Sequence, residues 1–124
     1  MPAMPLVRFF PYLFAIVAVI VAAHYGVSRA YGAHPFWATS IAWTGAPAGA
    51  LLALVIRRRT WPTRLLLAFG LLAFSATAAH QGRLAFAASF AENRLAGQAW
   101  YLGWIGVATA SSALIAIVLT PLRR

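Results

Sequence analysis

The sequence predicts an all-α polytopic membrane protein, a four-transmembrane-helix bundle with short loops. Hydrophobic residues make up 63% of the 124-residue chain, charged residues make up 9%, and the mean hydropathy is +0.80. Four apolar stretches approach or reach the roughly 20 residues that a membrane-spanning helix needs. The segments between them are short, so we expect residues 1–124 to form a single transmembrane bundle.

The first span is expected over residues 9–28, an uncharged run bounded by Arg8 and Arg29. An alternative interpretation is a cleaved signal peptide, since a basic residue, an apolar run and the small residues 21–23 follow that pattern. The apolar run continues past Ala23 and is longer than most signal-peptide cores, which favours an uncleaved span.

The second span is expected over residues 36–56, where small residues recur at helical spacing. Small side chains allow helix backbones to approach closely in lipid. We therefore expect a helix-packing face, or a face that contacts a partner, made of Ala38, Ala42, Gly45 and Gly49.

The third apolar segment is the shortest of the four. It covers residues 64–80, or continues through further apolar residues to 91 as a tilted or kinked helix, with Gly82 as the expected break. The fourth span is expected over residues 98–119, and Pro121 stops the helix after it.

The positions of the arginines predict the orientation. Cytoplasmic loops retain Lys and Arg during membrane insertion. If both termini are cytoplasmic, seven of the ten arginines lie inside, and three, Arg29, Arg83 and Arg94, lie outside. We therefore expect a multi-pass protein of the plasma (inner) membrane with both termini in the cytoplasm.

The charge balance restricts the partners. The ten basic residues are all Arg, the one acidic residue is Glu92, and the net charge is +9. The arginines lie at span ends rather than on a soluble face with stacking aromatics, which argues against nucleic acid. Membrane lipids are the expected partners of these arginines, together with other membrane subunits or further copies of this chain.

Polar residues concentrate at the predicted outer end, where we expect a candidate polar site of His24, His34, His80, Arg83 and Glu92. His80 and Arg83 are three residues apart and share a helix face if the third helix continues, where they would meet an anion, a quinone oxygen or Glu92. If the chain leaves the membrane at Gly82, both side chains face water. The simplest interpretation of each histidine is an interfacial residue bonded to water, headgroups or backbone.

We expect no cofactor and no metal site. One alternative is a bis-histidine haem b held by His24 and His80, because the first and third spans run in the same direction. No carboxylate partner or paired-histidine motif supports it.

The chain offers few groups for chemistry. Cysteine, lysine and aspartate are absent, and no motif places a nucleophile beside a base, so we predict no catalytic residues and no enzyme. Proton-coupled cation export is also disfavoured, since it needs a carboxylate within a span. The leading hypothesis is a non-catalytic accessory or assembly subunit of a larger membrane complex. The alternatives are an oligomeric small transporter or channel, and the haem-bearing electron carrier.

Overall fold

The computed structural model describes residues 4–30, 39–90 and 92–120, and these ranges contain helices and turns but no strand. The prediction of an all-α protein with four main helices is confirmed. The elements are α1 (Met4–His24), the short α2 (Val27–Ala30), α3 (Ser40–Val55), α4 (Trp61–Ala88) and α5 (Arg94–Val118).

The first helix differs from the expected run over residues 9–28. It starts earlier, at Met4, and ends at His24. Gly26 has a φ of 88°, a backbone conformation that glycine adopts without steric cost, and it separates α1 from α2. The uncharged run through Ser28 therefore gave no indication of the turn at Gly26.

The third apolar segment forms one long helix. Thr60 is its N-cap and accepts a hydrogen bond from the backbone N–H of Thr63, and α4 then runs for 28 residues to Ala88. The expected break at Gly82 is wrong, because Gly82 lies inside the helix and is buried against α5. Its small size serves close packing rather than a turn.

Within residues 4–30, 39–90 and 92–120, two helices are long and apolar enough to cross a membrane, namely α4 (Trp61–Ala88) and α5 (Arg94–Val118). The apolar part of α1, Phe9–His24, and the whole of α3, Ser40–Val55, are shorter. At 1.5 Å per residue the 16-residue α3 is about 24 Å long, below the roughly 30 Å of a bilayer core.

The central helix of the bundle is α5, which packs against α1, α3 and α4. Neighbouring contacts set the directions. Ala79 lies against Gly103, and the Trp61 indole N–H donates a hydrogen bond to the Ile117 carbonyl. The helices α4 and α5 are therefore antiparallel. Gly45 lies against Ala108, and Gly49 lies against Ser112, which is four residues further along α5. The helices α3 and α5 are therefore parallel.

The interior consists of small residues. Apart from Ile41 and Ile117, every buried hydrophobic residue in the described ranges is alanine. Ser75 and Ser112 are also buried, and Ser112 donates a 2.7 Å hydrogen bond to the carbonyl of Ala46. The helices are therefore held at short distances by small side chains.

The exterior carries the large apolar side chains. Those exposed on α1 and α4 include Phe9, Phe10, Leu13, Phe14, Val17, Leu66, Phe69 and Phe74. Monomeric soluble proteins rarely expose contiguous apolar surface on this scale. Many of the large apolar side chains of the described helices therefore point outwards and not into the interior.

Candidate functional site

A cleft of about 710 Å³ lies between α1 and α4, with α5 as its floor. It exists because α5 separates these two helices, while α4 packs mainly against α5. Small or aliphatic residues form most of the wall, including Ala18, Ala22, Leu72, Ala76 and Val107. The volume falls within the roughly 300–1,000 Å³ that is usual for small-molecule sites.

Polar groups mark one end of the cleft. His80 and Arg83 both line it and are both exposed, so they stand at its mouth. Because α4 is continuous, the two residues share one helix face, as one of the two sequence alternatives expected. Within the described ranges neither side chain makes a hydrogen bond or an ion pair. Trp104 and Ser111 of α5 are further polar residues in the wall.

His24 takes part in a separate contact. The indole Nε1–H of Trp43 donates a 3.0 Å hydrogen bond to His24 Nε2, and the rings meet edge to face with centroids 6.1 Å apart. His24 Nε2 is the acceptor of this bond. His24 is not among the residues that line the cleft with His80.

The other members of the predicted polar site lie apart. Glu92 is exposed in the α4–α5 loop, and its backbone N–H bonds the carbonyl of Ser89. Across the described part of the chain its carboxylate pairs with neither Arg83 nor Arg94. His34 and Ala38 lie outside the described residues. In the described residues no group of three or more His, Cys, Asp or Glu could hold a metal ion.

The small-residue face of α3 is occupied within the chain. A Cβ on Gly45 would lie 2.6 Å from Ala108 Cβ, and one on Gly49 would lie 2.7 Å from Ser112 Cβ, so both glycines touch α5. Ala42 is buried beside them. Gly45 and Gly49 thus serve packing between α3 and α5, and a partner cannot reach them without separating these helices, while Ala42 lines the cleft.

A buried arginine at the opposite end escaped the sequence analysis. Arg64 is 1% exposed and donates hydrogen bonds to the Arg59 carbonyl at 3.1 Å, the Thr120 hydroxyl at 3.1 Å and the Thr120 carbonyl at 3.0 Å. The carbonyls at a helix C-terminus attract a cation. Arg64 therefore ties the start of α4 to the end of α5. Its position in a basic loop gave no signal of burial.

A second feature missed from the sequence is the outward face of α4. Of the helical glycines in the described ranges, Gly70 alone has no neighbour within 4 Å of an added Cβ. Ala73, Thr77 and Gln81 follow it at helical spacing and are exposed. We call Gly70, Ala73, Thr77 and Gln81 the Gly70 face. None of its residues lines the cleft, and Gly70 itself lies about 200° around the helix from the cleft residue Leu72.

Comparison with known proteins adds no family. No family model matches the chain, and neither a curated protein nor a solved structure matches it.

Proposed function

We propose that this chain is a four-span protein of the inner membrane, with cytoplasmic termini, that acts as a non-catalytic accessory or assembly subunit of a larger membrane complex. The distribution of side chains supports the membrane location. Alanine, glycine and serine fill the interior, while large apolar residues cover the outside. In lipid this arrangement is favourable, because small residues let helices pack closely and large ones meet acyl chains.

The single observation that carries the partner role is the open space at Gly70. A glycine in a helix interior costs about 1 kcal/mol relative to alanine. Elsewhere in the described helices each glycine allows another helix to approach, as at Gly45, Gly82 and Gly103. Gly70 also leaves room for a close approach, but nothing in the described residues lies within 4 Å of a Cβ added there. A helix of another subunit would fit against it.

Two polar residues beside Gly70 support the same surface. Thr77 and Gln81 are exposed, and within the described ranges neither side chain makes a hydrogen bond. A hydroxyl and an amide on the outer face of a membrane helix gain from bonds across to a neighbouring helix. The partner surface is thus the Gly70 face and not the α3 face favoured by the sequence.

A photo-activated cross-linking residue at position 70 tests the proposal. The matched control carries the same residue at Ala48, which is exposed on α3. Cross-linking in native membranes followed by mass spectrometry should give an adduct with one reproducible larger chain from position 70 and none from position 48. Adducts with lipid alone from both positions would refute the subunit role. An adduct between two copies of this chain would instead favour the oligomeric transporter.

Haem binding has no comparable support. His24 is engaged by Trp43, and His80 lies in a different environment at the cleft mouth. A Soret band in the purified protein would overturn this conclusion.

A further inference from the structure

The cleft between α1 and α4 extends along most of the bundle. Its residues on α4 extend from Leu72 to Arg83, and those on α5 extend from Trp104 to Ile115. Because α4 and α5 are antiparallel, with Ala79 beside Gly103, about 16 helical steps separate Arg83 from Ile115, a length of about 24 Å at 1.5 Å per step. The hydrocarbon core of a membrane is roughly 30 Å thick, so the cleft is longer than the hydrocarbon layer of one leaflet.

The two ends of the cleft differ in chemistry. The end away from Arg83 is apolar, with Ile115 in its wall. The mouth carries the Arg83 guanidinium and the His80 imidazole, both exposed and free to turn towards a ligand. A permanently charged guanidinium favours planar, bidentate bonds to phosphate or carboxylate oxygens.

The electrostatic surroundings favour an anion at this mouth. The chain has ten arginines and one acid, and that acid, Glu92, makes no ion pair with Arg83 in the described ranges. No carboxylate lines the cleft. The ligand that satisfies both ends is an amphiphile with a negative head and an apolar tail.

We infer that the cleft binds one anionic phospholipid of the surrounding bilayer, with its phosphate at Arg83 and His80 and an acyl chain lying along α5 beside Trp104. The occupant is a lipid rather than a partner helix because one end of the cleft presents a cation with no carboxylate among the described residues of the lining, while the rest of the wall is mostly apolar. An anionic headgroup with an acyl chain matches both parts, whereas an apolar helix would leave Arg83 without a counter-charge. This lipid site rests on the proposed membrane location but not on the partner role. No residue of the Gly70 face lines the cleft, so the two proposals are tested by different residues and fail separately.

Native mass spectrometry of the detergent-solubilised protein tests the site. The protein is incubated with equal amounts of phosphatidylglycerol and phosphatidylcholine, and retained lipid is counted per chain. The wild type should keep one phosphatidylglycerol in preference to phosphatidylcholine. Arg83→Gln should lower its retention about tenfold, from the loss of a charge-assisted bond, and Arg83→Lys, which keeps the charge but not the bidentate geometry, should lie between Arg83→Gln and the wild type. The control Arg94→Gln removes the same charge from the first residue of α5, away from the cleft, and should have no effect.

A second variant tests the position of the acyl chain. Ala76 lines the cleft and is exposed, so Ala76→Phe should fill the cleft without disturbing the packing of α4 on α5. Retention of both lipids should fall, whereas Ala87→Phe, on α4 outside the cleft, should match the wild type. Equal retention by Arg83→Gln and Arg94→Gln would overturn the headgroup assignment. Unchanged retention by Ala76→Phe would overturn the cleft as the site. Displacement of phosphatidylglycerol by an equal amount of glycerol phosphate would show that a soluble anion suffices, and would also overturn the proposal.

Discussion

The substitution Gly49→Ala tests whether close contact between α3 and α5 holds the bundle together. The added Cβ would meet the Thr109 carbonyl oxygen, and it would lie 2.7 Å from Ser112 Cβ and 2.9 Å from Ala113 N. All three atoms belong to a helix backbone or its first side-chain carbon, so none can rotate away. The two helices must therefore move apart.

The expected loss has two parts. Overpacking of a well-packed interior costs about 1–3 kcal/mol. Separation of the helices also stretches the 2.7 Å bond from Ser112 to the Ala46 carbonyl, and such bonds average about 0.6 kcal/mol in membrane proteins. We expect Gly49→Ala to lower the free energy of unfolding by about 2–3 kcal/mol.

Gly70→Ala is the matched control, since it makes the same chemical change on a helix where nothing lies within 4 Å. It should leave stability unchanged or raise it by up to about 1 kcal/mol through helix propensity. Titration of the purified protein in mild detergent with sodium dodecyl sulfate, followed by tryptophan fluorescence, gives both values. Equal midpoints for Gly49→Ala and Gly70→Ala would refute the packing argument.

Three further substitutions test other contacts by the same titration. Arg64→Met should lower the free energy of unfolding by about 3–5 kcal/mol, because it removes charge-assisted bonds and leaves the Arg59 and Thr120 carbonyls unsatisfied. The control Arg58→Met, in the exposed loop, should have little effect. Similar values for the two variants would contradict the role of Arg64 in joining α4 to α5. Ser112→Ala should cost about 0.6–2 kcal/mol through loss of its bond to Ala46, and a stability equal to the wild type would argue against that bond. Asn93→Ala should cost about 1 kcal/mol, because the Asn93 side chain accepts the Ala96 N–H at the start of α5, and Asn93→Asp should retain most of this stability. A full loss in Asn93→Asp would contradict the capping role.

Composition and periodicity predicted the helices well but not their ends. Uncharged runs identify an apolar helix, while its limits depend on single backbone conformations. Gly26 ends α1 through a positive φ, and Gly82 does not end α4 because a neighbouring helix lies against it. The same residue type therefore had opposite effects, and only the tertiary contacts distinguish them.

The candidate site was predicted in part. The sequence placed His80 and Arg83 on one face of a continuous third helix as one alternative, and the structure has them together at the cleft mouth. It could not reveal the cleft, which follows from the central position of α5 between α1 and α4. Nor could it separate the role of Gly49 from that of Gly70, since this depends on whether another helix lies opposite.

The central claim is that α4 crosses the membrane. The loop before α4, which contains Arg58, and the loop after α4, which contains Glu92, would then lie on opposite sides. The chain has no cysteine, so Arg58→Cys and Glu92→Cys each introduce a single exposed thiol. A membrane-impermeant maleimide applied from outside an intact inner membrane should label Glu92→Cys and should label Arg58→Cys only after the membrane is disrupted. Labelling of both thiols from the same side of the intact membrane would contradict the account.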